Sequence, residues 1–168
     1  MSLFNNIKSY SEKVNLSTTK RKDLDSFFKK GFPTTKDEEW KYTSLKKIVA
    51  DDFSIEENKD IVSEIDFEKY SLGFENKIVF VNGTLISSPI INGILISDFT
   101  DFKTENKDVV SDINSALATK GFSISVTQNT ILKNPIEILF LTNTKNDNFS
   151  QYRNQIIIGN NSKIKFVE

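Results

Sequence analysis

Apolar residues recur at helical spacing near the start of the chain. Two stripes are spaced three or four residues apart: Leu3, Ile7, Tyr10 and Val14, and then Leu24, Phe27 and Phe28. This spacing predicts amphipathic helices over residues 2–14 and 18–30, with Ser2 as the cap of the first. Gly31 suits the position after a helix, and Pro33 prevents continuation. The pattern therefore predicts a helical hairpin.

The segment after this hairpin combines charge with a short apolar pattern. Thr35 and Glu38 have the spacing of a capping box, which predicts a helical turn there. Leu45, Ile48 and Val49 predict a linker helix near residues 43–50, with these side chains turned inward. Residues 51–66 are acidic and weakly patterned. We interpret them as a loop or short helix between a helical region, residues 1–66, and a β-rich region, residues 67–168.

Short apolar runs bounded by turn residues replace the helical pattern after residue 77. Asn82-Gly83 between two such runs is a strong signal for a type I′ hairpin. A stripe of helical period interrupts the runs and predicts one inserted helix over residues 106–120, ended by Gly121. The predicted strands cover residues 78–81, 84–87, 94–97, 122–127, 136–142, 153–158 and 163–167. The helices come first along the chain, and the strands that follow are interrupted by one helix. This is the order of elements in an α+β fold.

Charge and composition argue against several classes of function. The chain carries 22 basic and 23 acidic residues, with a net charge of -1. A nucleic-acid binder usually has a basic face, and a membrane-bound surface has a polybasic segment. The chain has no Cys and no His, which removes thiolate and imidazole ligands and the Ser-His-Asp triad. We expect no catalytic, cofactor-binding or metal site, although a Ser-Lys dyad or a carboxylate pair stays open.

The apolar runs are too short for a membrane protein. The longest are four residues, at positions 78–81 and 138–141, whereas a helix needs about 20 apolar residues to span a bilayer. The first residues also lack the apolar stretch of a signal peptide. We therefore expect a cytoplasmic protein that does not associate with membranes.

The stretch of residues 31–43 resembles one family. It resembles the opening segment of the SufB/SufD family, the scaffold proteins of the Suf iron–sulfur cluster assembly system, and is more like SufD. Matching residues occur in the order and spacing of that family: Gly31, Pro33, Thr34, Glu38, Trp40, Lys41, Tyr42 and Thr43. A second set is similar to the stretch that leads this family into its β-helix: Gly121, Ile124, Val126, Pro135, Ile136, Arg153, Ile156, Ile158 and Glu168.

This resemblance implies both a fold and a function. The fold would be the first rungs of a right-handed β-helix with two strands per turn, started and capped by this region. The function would be that of a non-enzymatic scaffold subunit that assembles iron–sulfur clusters with SufB-like and ATP-hydrolysing SufC-like partners. Proteins of this family continue through many more rungs, whereas this chain ends at Glu168. We interpret it as an N-terminal fragment.

Four residues are candidates for structural or interface roles. Trp40 and Tyr42 are expected to seat the linker on the main body, or to anchor a protein interface. The alternative is a small-ligand or carbohydrate-binding α+β module that uses both rings as a platform. Glu38 is interpreted as a helix N-terminal carboxylate. Arg153 is expected to point outward or to pair with Glu168 across the adjacent strand.

The last two predicted strands raise the question of self-association. A final rung without a successor leaves backbone N–H and C=O groups unpaired, and such an edge is a template for another chain. We therefore expect a homodimer that pairs edge to edge through the truncated end, with Ile164 and Phe166 on that edge.

Overall fold

The computed structural model describes residues 2–55, 65–98, 108–143 and 147–168 of the chain. These residues form two compact units that interleave along the sequence. The helical unit contains residues 2–55, 108–118 and 147–151, and the β unit contains residues 65–98, 119–143 and 152–168. The predicted α+β class is confirmed. The single boundary at residue 66 stays a prediction, and most of the predicted loop over 51–66 lies outside the described residues.

The helical unit contains four helices and one 3-10 turn. They are α1 (Leu3–Lys13), α2 (Thr18–Lys30), the turn Glu38–Trp40, α3 (Lys46–Ala50) and α4 (Val109–Leu117). The predicted helical hairpin and inserted helix are confirmed, although the first two positions predicted for the latter, 106 and 107, lie outside the described residues. Within the described parts of the chain, no helix is long and apolar enough to cross a membrane.

Aromatic rings around Phe27 fill the core of the helical unit. Its ring centroid lies 5.0 Å from that of Phe32, 5.3 Å from Phe28 and 5.5 Å from Phe4. Such tilted and edge-on pairs stabilise a core beyond the area that they bury. The buried side chains come from α1, α2 and α4: Leu3, Ile7, Leu24, Phe27, Val109, Ile113, Ala116 and Leu117. The predicted apolar stripes therefore face this core.

The ends of the helices differ in part from the sequence prediction. Gly31 follows α2 with a φ of 74°, as predicted. Ser2 occupies the N-cap of α1, but its side chain makes no capping hydrogen bond. Gly121 does not end α4, because the helix stops at Leu117 and Gly121 lies within a strand. The prediction of an inward Ile48 is also wrong, since α3 has only five residues and leaves this side chain exposed.

Asp108 caps α4, a role that the sequence analysis did not assign. Its Oδ1 accepts hydrogen bonds from the N–H groups of Val110 at 2.8 Å and Ser111 at 2.9 Å. The backbone N–H of Ser111 is the largest of the effects that hold the pKa of Asp108 below its ordinary value, despite the opposing effect of burial. The cap thus satisfies two N–H groups that a helix leaves without partners.

The β unit contains seven strands in two sheets. They are β1 (Asn76–Val81), β2 (Thr84–Ser87), β3 (Ile94–Asp98), β4 (Lys120–Val126), β5 (Ile136–Leu141), β6 (Tyr152–Ile158) and β7 (Phe166–Val167). One sheet has the order β2-β1-β5-β7 and the other has the order β3-β4-β6. All seven predicted strands are present. The last is shorter than predicted, although Lys163 forms a parallel bridge with Ile131.

In each sheet, a parallel pair brings together two strands that are about 30 residues apart in the sequence. Lys120 of β4 pairs with Tyr152 of β6, 32 positions later. Ile136 of β5 pairs with Phe166 of β7, 30 positions later. At the other side, β2 and β3 pair antiparallel with β1 and β4. The predicted hairpin is confirmed, since Asn82 and Gly83 have φ angles of 48° and 75°, as a type I′ turn requires.

Stacked phenylalanines occupy the core of the β unit. The ring of Phe80 lies 4.8 Å from that of Phe122 and 5.3 Å from that of Phe140. The three rings come from β1, β4 and β5, so they join the two sheets. Aliphatic side chains complete the cluster: Ile78, Ile124, Val126, Ile136 and Ile138. These cluster residues lie at alternate positions of their strands, as the pleat of a strand requires, although Val79 and Val81 between and beside them on β1 are buried as well.

Substitution of Gly121 tests the close approach of β4 and β6. Gly121 has a φ of 142°, and a Cβ there would collide with the carbonyl oxygen of Arg153. We predict that Gly121→Ala lowers the free energy of unfolding by about 2–4 kcal/mol, because the parallel pair must open locally. The control is Gly73→Ala, with a φ of 84° and no atom within 4 Å. It should cost only the backbone strain, about 1–2 kcal/mol. Equal losses in urea denaturation would contradict the close approach.

Candidate functional site

A turn built around Asp37 organises the segment of residues 31–43 in the helical unit. Oδ2 of Asp37 accepts hydrogen bonds from the backbone N of Thr34 at 2.7 Å and from its Oγ1 at 3.1 Å. The backbone N of Trp40 donates to the carbonyl oxygen of Asp37 at 2.9 Å. The capping box predicted for Thr35 and Glu38 is therefore wrong. The shorter Asp37 side chain reaches back to Thr34 and starts the turn instead.

Glu38 forms an ion pair on the surface of this segment. Its Oε1 lies 2.6 Å from Nζ of Lys41, three residues later. Nζ of Lys41 also lies 5.2 Å from the ring centroid of Tyr42. Both contacts face solvent, where ion pairs and cation–π pairs each contribute at most about 1 kcal/mol. These two contacts orient side chains on the surface of the segment and contribute little to the stability of the fold.

Trp40 and Tyr42 do not seal a core in the helical unit. Trp40 is half-buried, and Tyr42 is 91% exposed. Neither ring belongs to the side chains that pack against the Phe27 cluster. The expectation that the pair forms an apolar plug is therefore wrong for Tyr42. A role as a protein-interface anchor suits an exposed aromatic side chain and stays a prediction.

An apolar cleft of about 580 Å³ lies beside the segment. Phe4, Phe32, Pro33, Leu45 and Val49 give the cleft its apolar surface, and small hydroxyl side chains and Lys46 complete its lining. Trp40 and Tyr42 do not line it. The alternative function, a ligand platform made by these two rings, therefore does not use this cleft and stays a prediction.

Arg153 lies within β6 rather than on the surface. It is buried and pairs in register with Gly121 of β4. The expectation that it points out into solvent is wrong, because the residue is only 9% exposed. Its predicted pairing with Glu168 across an adjacent strand is also wrong in its premise, because β6 and β7 belong to different sheets.

The outer edge of β6 carries apolar side chains that the unit only partly covers. Ile156 and Ile158 are in register with Ile124 and Val126 of β4, so they share the inward face. Ile124 is 0% exposed and Val126 is 4% exposed, whereas Ile156 is 42% and Ile158 is 49% exposed. The row of inward-facing apolar side chains therefore extends from β4 to β6, but on β6 these side chains are only partly buried. An apolar edge of this kind normally pairs with a further strand.

Asp112 joins α4 to α2 through a buried carboxylate. Its Oδ2 accepts a hydrogen bond from Oγ of Ser26 at 2.8 Å and lies 3.1 Å from Nζ of Lys30. Sequence analysis missed this residue. The available signal was its position three residues after Val109 and four before Ala116, which puts a charge on the apolar stripe of the helix.

Glu137 ties the segment before β1 to the sheet. It lies on β5 and is almost fully buried. Its Oε1 accepts a hydrogen bond from the backbone N of Leu72 at 2.6 Å, and its Oε2 accepts one from Oγ of Ser71 at 2.8 Å. Burial raises the pKa of Glu137, but these hydrogen bonds and the charge of Lys77 outweigh it and hold the pKa below its ordinary value. The carboxylate is therefore ionised and structural.

The carboxylates described above form hydrogen bonds and ion pairs within turns and between elements. Within residues 2–55, 65–98, 108–143 and 147–168, no three acidic side chains lie close enough together to hold a metal ion. Every buried side-chain nitrogen or oxygen in those ranges has a hydrogen-bond partner. Three surfaces described above suit contacts with other molecules: the segment with the half-buried Trp40 and the exposed Tyr42, the cleft beside it, and the β6 edge.

Comparisons with known proteins agree on one family. Residues 2–85 match the model of the SufBD protein N-terminal region. The chain is also similar to an iron–sulfur cluster assembly SufBD family protein of Synechocystis sp., with 26% identity over 158 residues. That similarity covers 81% of this chain and 35% of the relative. The chain therefore spans about a third of the length of the curated relative that it matches.

Replacement of Asp112 tests a partly buried ion pair against an exposed one. We predict that Asp112→Ala lowers the free energy of unfolding by about 1–2 kcal/mol, chiefly because it leaves the hydroxyl of Ser26 without its acceptor, since the Lys30 side chain is 57% exposed and is solvated again. Glu38→Ala is the matched control, since it removes an exposed partner of Lys41 and should cost less than about 0.5 kcal/mol. Thermal and urea denaturation measure both. Similar losses for the two variants would contradict the role given to Asp112.

The lowered pKa of Glu137 predicts a dependence of stability on pH. A group whose pKa is depressed on folding contributes stability above its unfolded pKa, near 4.3, and that stability disappears as pH falls through the folded value. The free energy of unfolding should therefore decline below about pH 4.5, and Glu137→Gln should make this decline shallower. Glu39→Gln, an exposed change, should leave the decline as it is. Urea midpoints across the acid range measure it, and parallel curves for wild type and Glu137→Gln would refute the assignment.

Proposed function

The chain belongs to the SufB/SufD family, whose N-terminal region it matches over residues 2–85, and on this premise we propose that it is the non-catalytic N-terminal region of a SufD-like scaffold subunit. Its process is iron–sulfur cluster assembly, for which the relative from Synechocystis sp. is named. Its partners are SufB-like and SufC-like subunits, in the cytosol. The chain contributes no cluster ligand of the usual kind, since it has no Cys and no His.

The return of the chain to the same sheet edge is the observation that carries the structural part of this proposal. After β4 the chain crosses to the other sheet, forms β5, and returns as β6 to lie parallel to β4 in register. It then crosses again and β7 lies parallel to β5. A path that repeats after 30 to 32 residues, with two strands per repeat, supports the assignment to a β-solenoid. We assign these strands to the first rungs of the right-handed β-helix implied by the family.

The corner between the two sheets repeats as well. Asn129 and Asn161 both have positive φ angles, of 62° and 59°. The backbone N of Asn129 donates to the carbonyl oxygen of Asn160 at 2.9 Å, and Nδ2 of Asn161 donates to Oδ1 of Asn129 at 3.3 Å. Oγ of Ser162 accepts from the backbone N of Thr130 at 3.0 Å. Stacked, hydrogen-bonded corners support a repeat rather than a chance pairing of strands.

The two ends of the proposed solenoid differ in strand direction, which supports a cap at one end. The end formed by β2 and β3 has antiparallel strands, and β1 and β2 slip by a bulge between Val79 and Phe80. Antiparallel pairing breaks the repeat, and bulges discourage further pairing at an edge. The other end is β6 with its half-exposed isoleucines. We infer that β2 and β3 close the solenoid and that rungs are added at β6.

A lysine at Ile156 tests whether rungs follow. In the 168-residue chain, diluted until it is monomeric, Ile156→Lys should cost less than about 1 kcal/mol, because the side chain then reaches solvent at the edge. In the protein encoded by the full reading frame, a following strand would bury it, and the cost should reach about 3 kcal/mol or more. Ile90→Lys is the control, since Ile90 is fully exposed, and it should be neutral in both proteins. Melting temperatures of the six proteins measure the difference.

The same proteins test the functional part. Co-expressed with the SufB-like and SufC-like proteins of the same organism, the full-length protein should elute with both in gel filtration, and Ile156→Lys should reduce the amount that does so. Elution alone, with normal folding, would refute the scaffold role. A reading frame that ends at Glu168, or equal costs for Ile156→Lys in both proteins, would refute the continued solenoid.

Self-association of the 168-residue chain is proposed through the same edge. A second copy aligned antiparallel along β6 would cover Ile156 and Ile158 of both chains. Ile164 and Phe166, first expected to mark this edge, pack against the core of the β unit instead. Light scattering should therefore show a dimer that Ile156→Lys converts to monomer. A monodisperse monomer of the unchanged chain would contradict this pairing.

A further inference from the structure

Two Asn-Gly dipeptides occupy turns of the β unit, and their surroundings are opposite. They are Asn82-Gly83, between β1 and β2, and Asn92-Gly93, just before β3. In an Asn-Gly sequence the backbone nitrogen of the glycine is able to attack the side-chain amide carbon of the asparagine, because glycine has no Cβ to obstruct the approach. Whether the reaction occurs depends on how freely the asparagine side chain turns toward that nitrogen.

Asn82 is held away from this reaction. Its side chain is 7% exposed. Its Nδ2 donates to the carbonyl oxygen of Asn143 at 2.9 Å, and its Oδ1 accepts from the backbone N of Asn143 at 2.9 Å. Both ends of the amide are therefore bound to one residue of the chain. Rotation of the Asn82 amide toward the nitrogen of Gly83 must break two hydrogen bonds in a buried place.

The side-chain amide of Asn92 is not held by hydrogen bonds of this kind. It is exposed and lies in a turn closed by the hydrogen bond from the backbone N of Ile94 to the carbonyl oxygen of Ile91, at 3.1 Å. In the described part of the chain, the side chain of Asn92 makes no hydrogen bond. Its amide is therefore free to rotate in solvent, directly before a glycine.

We propose that Asn92 is a site of spontaneous deamidation in the folded protein and that Asn82 is protected. The backbone nitrogen of Gly93 forms a bond to Cγ of Asn92, the bond from Cγ to Nδ2 breaks, and ammonia leaves with the proton of the Gly93 amide. Water then opens the resulting succinimide at either carbonyl. The products are aspartate and isoaspartate, with no oxidant or cofactor required.

The products would change the corner on which β3 and β4 meet. The carbonyl oxygen of Gly93 accepts from the backbone N of Thr127 at 2.8 Å and from its Oγ1 at 3.2 Å. A Cβ at Gly93 would lie 2.7 Å from Oγ1 of Thr130, so this corner has no spare room. Isoaspartate adds a methylene to the main chain immediately before Gly93 and displaces that carbonyl. Deamidation at this turn would therefore slowly change the end of the solenoid that β2 and β3 are inferred to close.

Peptide mass spectrometry tests the proposal with a control inside one peptide. Trypsin releases residues 78–103 as a single peptide, in which Asn82 and Asn92 are the only asparagines. After incubation of the folded chain at mildly alkaline pH, fragment ions between the two positions assign the mass gain. Deamidation at Asn92 should be faster than at Asn82 by about tenfold or more, the ratio expected when two hydrogen bonds must open.

Unfolding and substitution separate the effect of structure from that of sequence. In concentrated urea the two asparagines should react at similar rates, because both then precede a flexible glycine. Asn92→Gln should abolish the fast gain in the folded chain, since glutamine closes its larger ring far more slowly. A folded chain in which both positions react equally, or in which Asn92 stays unchanged while the unfolded chain reacts, would overturn the proposal.

Discussion

The return of the chain, in register and parallel, to a strand that it left about thirty residues earlier is the constraint on which the β unit depends. Parallel strands require a crossover between them, and here the crossover is itself a strand of a second sheet. Each return therefore builds both sheets together, and residues of equal register stack: Ile124 with Ile156, and Ile136 with Phe166. The close approach at Gly121 follows from the same pairing, because the carbonyl of Arg153 takes the place of a side chain.

Two buried carboxylates add hydrogen bonds between segments of each unit. Asp112 fixes α4 to α2 through Ser26 and Lys30. Glu137 fixes the backbone at Ser71 and Leu72 to the sheet, where the exposed side chain of Leu72 contributes little apolar contact. A buried carboxylate is costly unless donors satisfy its oxygens. Each of the two has its donors, so the carboxylates determine where the segments lie as well as how firmly they are held.

Local periodicity was enough to predict the elements but not the partners of individual side chains. The spacing of Leu24, Phe27 and Phe28 predicted α2 correctly, because the burial of one helix face depends on period alone. Glu38 does lie in the first turn of a 3-10 helix, as interpreted. Its capping box with Thr35 and the predicted partner of Arg153 were wrong, because each depends on a neighbour that local spacing does not reveal. Residue spacing alone did not reveal that β4 pairs with β6, and a path with two strands per turn was expected only from the family resemblance, since few positions are identical between the paired segments. Ile124 and Ile156, and Asn129 and Asn161, are among them, each pair 32 residues apart.

Several residues that carry the resemblance in the segment of residues 31–43 contribute little to the fold. In the segment of residues 31–43, Gly31 ends a helix and Pro33 lines the cleft, but Glu38, Lys41 and Tyr42 face solvent. Exposed side chains contribute little to the free energy of unfolding. Side chains of this kind are therefore better suited to contacts with other molecules than to holding the fold together. The match to the family extends over residues 2–85 and includes buried residues of both units, whereas the register of the parallel strand pairs is visible only in the structure.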